Sequence, residues 1–280
     1  MTATMPEELK KDVPQTAWGK ILTATPIVMT VISTLLAGLA SSEMTRAQYE
    51  RAFGAQLQSK ATDQWSYFQA KKVRAAINHN SLELLQATVD VHPLRNPALE
   101  KSPATAVPAL DANMQAVLGA VEKQSPENEI AETLKHVDHK VLAAALQDAR
   151  QRAKDFDVAL APANRAIQEL ETTLPTGDKS AARDLTGTKM RFAAMRYDAE
   201  AKLNQNIANL LELQVRKANL SAERHHQRSG MFFFGMLVAQ AAVIVATFAL
   251  AARRKNVLWA LAAVAGIAAV IFTIYVYLQL

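Results

Sequence analysis

The chain has 280 residues, of which 50% are hydrophobic, and its formal net charge is +5. It contains no cysteine, which excludes a disulfide framework, a thiolate zinc site and a cysteine nucleophile. Because the basic excess is small and the chain is so apolar, we expect a lipid bilayer as its partner and no nucleic acid.

Three stretches of the chain are long enough and apolar enough to cross a membrane. They predict transmembrane helices at residues 18–40, 230–252 and 257–280, and from Ile21 onward none of the three contains Asp, Glu, Lys or Arg. Residues 1–17 form a polar cytoplasmic tail. A secretory signal is the alternative for the first stretch, since lysines precede it. Its apolar run is longer than a signal core and continues into a helical pattern, which favours a span.

The first span is predicted to continue well beyond the membrane as a helical rod. From Ser41 onward no helix breaker appears before His92-Pro93. Apolar residues recur there at steps of three and four: Phe53, Leu57, Ala61, Trp65 and Phe68. The rod should therefore reach about Val89, within the segment 41–91.

Prolines and glycines divide the rest of the ectodomain. Near residue 125 a helix start is expected, with Ser125 as the N-cap and Pro126 at the first helical position. No alternating strand pattern occurs, so we expect an all-α integral membrane protein with three transmembrane helices and a long, coiled-coil-like ectodomain. Its parts are a Pro-rich loop at 92–108, a helical insert at 109–174, a loop at 175–188 and a rod at 189–229 that returns to the membrane.

The short turn between the last two spans fixes the expected topology. Residues 253–256 contain Arg253, Arg254 and Lys255, and short basic loops lie on the cytoplasmic side. Three crossings then place residues 41–229 in the periplasm. Basic residues just before the second span favour the opposite orientation, but long translocated domains follow the charge rule weakly.

One motif connects the chain to a family. The run ATDQWSYFQAK at residues 61–71 resembles the SDQWAYYQAK signature of the bacterial domain-of-unknown-function family 4337. Members of that family also end in two spans joined by a short arginine-rich turn, here residues 252–256. The resemblance covers about residues 18–74 and 191–280, and nothing is recognised between about 92 and 189. It implies the bacterial inner membrane architecture and no activity.

The aromatic residues of this motif have two interpretations. Trp65, Tyr67 and Phe68 could form a ligand box, but Trp65 and Phe68 share the apolar face and are expected to pack on the returning rod, near Tyr197 or Leu211. An oligomer contact is a further alternative. Asp63 and Gln64 are not required by a helix surface, so capture of a partner protein's polar group is a hypothesis for them.

A second group of side chains has the composition of a metal site. Glu132, His136 and His139 recur with Glu129 at helical spacing, so all could lie on one helix face. A solvated face is the favoured interpretation, because this group of residues contains neither the Glu-x-x-His nor the His-Glu-x-x-His motif. The sequence contains no recognised catalytic or cofactor-binding motif, and we expect no cofactor.

The favoured hypothesis for function is a non-enzymatic structural or scaffolding protein of the inner membrane that forms a homo-oligomer through its helical periplasmic domain. Small residues at four-residue spacing in the spans, such as Gly235 and Ala239, would allow close helix packing. An oligomeric channel or mechanosensitive pore is one alternative. A sensor or partner-binding membrane module is another.

Overall fold

A computed structural model describes residues 17–100, 112–123, 125–175, 177–251 and 255–279. Every regular element in these ranges is an α-helix, which confirms the all-α fold class. The helices are α1 (Ala17–Thr88), α2 (Pro97–Glu100), α3 (Ala112–Glu122), α4 (Glu127–Lys135), α5 (His139–Ala159), α6 (Ala161–Thr173), α7 (Lys179–Ala251) and α8 (Lys255–Gln279).

The chain divides into two compact units, and both long helices contribute to each. Unit 1 comprises Met1–Arg51 and Asn219–Leu280, and unit 2 comprises Ala52–Ala218. The change of unit falls inside α1 and inside α7, because each helix has an apolar half and an amphipathic half. The two halves bury different surfaces, and each unit therefore has its own core.

Unit 1 is built by close packing of α1, α7 and α8. Its core alternates large with small side chains: Leu36, Ala40, Phe232, Ala239, Ala269 and Val276. At Gly235 an added Cβ would lie 3.6 Å from Leu36 and 3.7 Å from Phe272, which is ordinary van der Waals contact. Small residues thus let the three helices approach one another within a single chain.

Polar contacts in unit 1 join α1 to α7 beyond this apolar core. The Ser229 hydroxyl donates a buried hydrogen bond of 2.8 Å to the Ala40 carbonyl. Nδ1 of His225 lies 2.5 Å from the Glu43 carboxylate, which also pairs with Arg46 at 3.3 Å. Within the apolar helices, Thr34 and Thr247 bond back to carbonyls one turn earlier, as their hydroxyl chemistry predicts.

Two helices are long and apolar enough to cross a membrane by length and composition, within Ala24–Thr88 and Lys179–Ala249. A shorter apolar helix covers Ala260–Val276. Their large apolar side chains lie mainly on the outside of unit 1: Ile27, Val31, Leu35, Phe233, Phe234, Phe248, Leu261, Val264, Ile267, Ile271 and Ile274.

Unit 2 pairs α1 with α7 and adds the shorter helices. α1 buries Leu57 and Ala61, and α7 buries a continuous stripe that includes Ala201, Ala208 and Leu211. A second core joins α2, α5, α6 and α7: Leu99, Phe156, Leu160, Ala163, Ala166, Phe192, Ala199 and Leu203.

The structure corrects the predicted loop at 175–188. α7 begins at Lys179, well before the expected rod start at residue 189. The cause is local, because the Asp178 carboxylate accepts hydrogen bonds from the backbone N–H groups of Ser180 (2.9 Å) and Ala181 (3.1 Å). Gly177, with φ +99°, turns the chain into this cap. The Asp178 signal was present in the sequence and was overlooked.

Other boundaries also differ from the predictions. Pro126, with extended backbone, precedes α4 as its N-cap, so the start expected at Pro126 falls one residue later, at Glu127. The expected loop 92–108 contains the short helix α2, and its residues 101–108 lie outside the described ranges, as do Arg253, Arg254 and most of the tail. Lys255 opens α8. Phe53 is 39% exposed and does not belong to the buried stripe.

Candidate functional site

The 61–71 motif lies on α1 in unit 2 and faces α7 through polar side chains. We call these contacts the polar ladder, formed by Gln64, Trp65, Lys71 and Lys72 of α1 with Asp198, Glu200, Asn204 and Glu212 of α7. Residues with higher numbers on α1 meet residues with lower numbers on α7. The two helices are therefore antiparallel within unit 2.

Trp65 is the aromatic member of the ladder. Its indole N–H donates a hydrogen bond of 2.6 Å to the Glu212 carboxylate. The ring is half-buried and meets Phe68 edge to face, with centroids 5.4 Å apart. An indole has one donor and a large apolar surface, so Trp65 joins the helices by packing and by a charge-assisted hydrogen bond at the same time.

Gln64, which immediately precedes Trp65 on α1, is the next member of the ladder. Its side-chain amide donates to the Asn204 side-chain oxygen. The Asn204 amide in turn donates 2.6 Å to the backbone carbonyl of Glu200, one turn earlier on α7. This second bond orients the Asn204 side chain, so that its amide oxygen can accept the hydrogen bond from the Gln64 amide.

Glu200 is the buried charge of the ladder. The residue is only 8% exposed, and its carboxylate pairs with Lys71 of α1 and with Nε of Arg196 at 2.8 Å. A buried carboxylate is tolerated only when cations and hydrogen bonds replace its water shell. Lys71 supplies that replacement from the opposite helix.

Tyr197 lies beside this pair and contacts cations from both helices. Three cationic groups lie over its ring: Lys71 at 5.3 Å, Arg74 at 5.9 Å and Arg196 at 5.0 Å from the centroid. The ring face attracts cations, so Tyr197 holds several positive groups close together that would otherwise repel one another.

Asp198 completes the ladder at its solvent side. Its carboxylate lies 2.7 Å from the Lys72 ammonium and 3.3 Å from that of Lys202. The hydrogen bond from Lys72 is the main cause that lowers the pKa of Asp198 below its ordinary value of 3.8; partial burial opposes it and Lys202 adds to it.

The structure brings together only some of the residues singled out by sequence. Gln64, Trp65 and Phe68 lie at the helix pair, whereas Asp63 and Tyr67 point to solvent. Tyr197 contacts Lys71 instead of the aromatic residues. The acids Glu200 and Glu212 and the amide Asn204 were not singled out by sequence. They interrupt or border the apolar stripe of α7, so the sequence marks them as polar positions on that face but does not show which residues of α1 they meet.

The proposed metal residues do not share a helix. α4 ends at Lys135, His136 follows as its C-cap and α5 begins at His139. Asp138 starts the new helix by accepting a hydrogen bond of 3.1 Å from the backbone N–H of Lys140. Glu132 pairs with Lys135 at 2.5 Å. In the described part of the chain no three His, Cys, Asp or Glu residues are grouped to hold a metal ion.

Comparison with known proteins gives one match. A family model described as "Domain of unknown function (DUF4337)" matches residues 18–167, which includes the motif and most of the middle segment where the sequence analysis recognised nothing. The C-terminal hairpin, on which part of the resemblance was based, lies outside the matched residues. No curated protein and no solved structure matches the chain.

We predict that Trp65 and Glu212 are energetically coupled. Trp65→Phe keeps an aromatic ring of smaller size and removes the indole N–H, so the lost hydrogen bond should lower the unfolding free energy by about 1.5–3 kcal/mol, in addition to any lost packing. In a double-mutant cycle with Glu212→Leu, measured by urea unfolding in mild detergent, most of that loss should appear as coupling. Tyr67→Phe is the matched control and should change little. Additive losses for Trp65→Phe and Glu212→Leu would contradict the hydrogen bond.

A second prediction concerns acid stability. Because the folded-state pKa of Asp198 is lowered, its ionised form stabilises the fold above pH 3.8, and this contribution is lost as the pH falls through the lower folded value. Asp198→Asn should therefore melt at a slightly lower temperature than wild type at pH 6. The underlying loss of unfolding free energy should be less than about 1 kcal/mol, because the Asp198–Lys72 pair is largely exposed. The two melting temperatures should converge as the pH falls below the lowered folded-state pKa of Asp198. Asp63→Asn is the control, and a pH-independent gap for Asp198→Asn would contradict the assignment.

Proposed function

This chain belongs to the DUF4337 family, and we propose that it is a non-enzymatic scaffold of the bacterial inner membrane. In this proposal unit 1 spans the lipid bilayer with three helices, and unit 2 is a helical periplasmic domain that associates with other copies. The polar ladder then has a structural role, since its charged and amide groups are satisfied by one another.

The apolar exterior of unit 1 is the observation that carries the membrane part of the proposal. In a soluble protein, a long apolar helix is buried as a core element. Here only 17% of the most apolar window of α1 and 28% of that of α7 are buried. Exposed Ile, Val, Leu and Phe side chains around three packed helices form an extended apolar surface, and such a surface suits lipid.

The orientation is proposed from charge. The three consecutive basic residues Arg253, Arg254 and Lys255 fall in the sequence between the apolar stretches of α7 and α8, and a short basic stretch between two spans favours the cytoplasm. Residues 41–229 then lie in the periplasm.

Self-association is proposed from a second apolar stripe on α1. Ala70, Val73, Ile77 and Leu84 follow heptad spacing on the face that does not contact α7, and all are exposed. The exposed fractions of Val73, Ile77 and Leu84 are 57%, 58% and 66%. A second copy of α1 offers a stripe of the same spacing, as in a coiled coil. The small residues of the spans are already used inside one chain, so they no longer argue for an oligomer.

The two alternative functions, a channel and a sensor or binding module, are supported by different observations. A channel would need several chains around a shared lumen, because the three helices of one chain close on an apolar core. A sensor or binding module is favoured by a specific feature, a cleft in unit 2 that is lined by Arg95 and Arg191.

We predict that single cysteines will report a periplasmic unit 2. The chain has no native cysteine, so Lys154→Cys, on α5, and Asn256→Cys, beside the basic residues at the start of α8, can each be labelled alone. A membrane-impermeant maleimide should label residue 154 in spheroplasts and residue 256 only after lysis. Labelling of residue 256 alone in intact spheroplasts would invert the topology, and labelling of neither position or both equally would contradict the three-span arrangement.

A further prediction tests the oligomer. Native mass spectrometry in mild detergent should give a multiple of the 30.5 kDa chain mass. Val73→Ser combined with Ile77→Ser should shift the population toward the single chain, because the stripe loses its two central apolar side chains. Val158→Ser, which alters a still more exposed valine on α5, is the control and should leave the mass unchanged. A wild-type monomer, or an unaltered oligomer in the double variant, would contradict the proposal.

A further inference from the structure

A cleft in unit 2 has the features of a small-molecule site. It has a volume of about 190 Å³ and lies between the segment 93–99, which follows α1, and the start of α7. Its lining combines apolar side chains with two arginines: Leu99, Phe192 and Met195 with Arg95 and Arg191. Nothing in the polar ladder or in the proposed oligomer contact uses these residues.

The cleft has a preformed floor. Leu99 and Phe192 are 6% and 7% exposed and belong to the core that joins α2, α5, α6 and α7. The segment above is fixed by the backbone N–H of Leu94, which donates 2.8 Å to the Thr188 hydroxyl, and by that of His92, which donates 2.8 Å to Asp184. These bonds hold the walls in place before any ligand arrives, and preorganisation of this kind lowers the cost of binding.

Charge gives the cleft its selectivity. Arg95 and Arg191 are exposed, and neither makes an ion pair with any residue in the described ranges, whereas most cations of the ladder are paired. Among the described residues that line the cleft, none is acidic. Two guanidinium groups at one small opening favour an anion, since arginine matches the geometry of carboxylate and phosphate oxygens.

Met195 connects the cleft to a second depression. It also lines a neighbouring groove of about 400 Å³, together with Ala75, Ala76, Ala194 and the side chains of Lys72, His79 and Asp198. Alanines of α1 and α7 form the apolar part of this groove, and methionine adapts readily to apolar partners. Together, the two depressions place two arginines, Arg95 and Arg191, beside an apolar surface.

We propose that this composite site binds a single-chain amphiphile, with its anionic head at Arg95 and Arg191 and its apolar chain across Met195 toward Ala75 and Ala76. Either a carboxylate or a phosphate monoester provides the required head. The inference goes beyond a scaffolding role and uses residues of unit 2 alone, so it does not depend on the oligomer or on the membrane orientation.

The test is equilibrium dialysis of radiolabelled octanoate against the full-length protein in nanodiscs, with empty nanodiscs as the blank. Saturable binding should be weakened at least tenfold in Arg95→Gln and in Arg191→Gln. Arg165→Gln, which changes an exposed arginine on α6, should bind like wild type. Because Arg95 and Arg191 are exposed and unpaired in the described structure, both variants should keep the wild-type melting temperature, so that lost binding is not lost folding.

Competing ligands separate the parts of the proposal. Octyl phosphate should displace octanoate, whereas butyrate and octanol should compete at least tenfold more weakly, because each lacks either the chain or the charge. Met195→Asp should weaken octanoate binding relative to the control variant Arg165→Gln. Absence of saturable binding, equal competition by octanol, or full binding by both arginine variants would overturn the proposal.

Discussion

The outward-facing apolar side chains of unit 1 impose the main physical constraint on this chain. Three helices close on a small apolar core, yet their larger side chains, such as Leu35, Phe248 and Val264, stay outside. Water is an unfavourable solvent for such a surface. The proposed bilayer removes this cost. The same two helices, α1 and α7, also contribute their more polar halves to unit 2 and so form its framework.

The polar ladder explains why α1 and α7 pair in one register in unit 2. Apolar stripes alone tolerate a shift by one turn, because alanines and leucines recur at similar spacing. Glu200 does not tolerate it, since a shift would remove Lys71 and leave a buried carboxylate with less compensation. The Trp65–Glu212 and Gln64–Asn204 bonds select the same register. The 61–71 motif therefore has a physical reason that needs no ligand.

The sequence was most informative where a single periodicity dominates. The end of the first helix, expected near Val89 and found at Thr88, and the all-α class follow from the 3.6-residue repeat and from proline positions. Helix boundaries that depend on a single capping side chain were harder to predict from the sequence. Examples are the Asp178 cap of α7 and the Asp138 cap that separates α4 from α5. The partners Glu200 and Glu212 could not be assigned, because register between distant helices depends on three-dimensional packing. The cleft at Arg95 and Arg191 joins residues nearly a hundred positions apart and has no local signature.

The central claim, that unit 1 is surrounded by lipid, is tested most directly by spin-label accessibility in liposomes. A nitroxide at Val264→Cys, on the outside of α8, is compared with one at Lys154→Cys, on α5. The account predicts strong relaxation by oxygen and weak relaxation by a water-soluble nickel chelate at residue 264, with the reverse at residue 154. Strong nickel accessibility at residue 264 would contradict it.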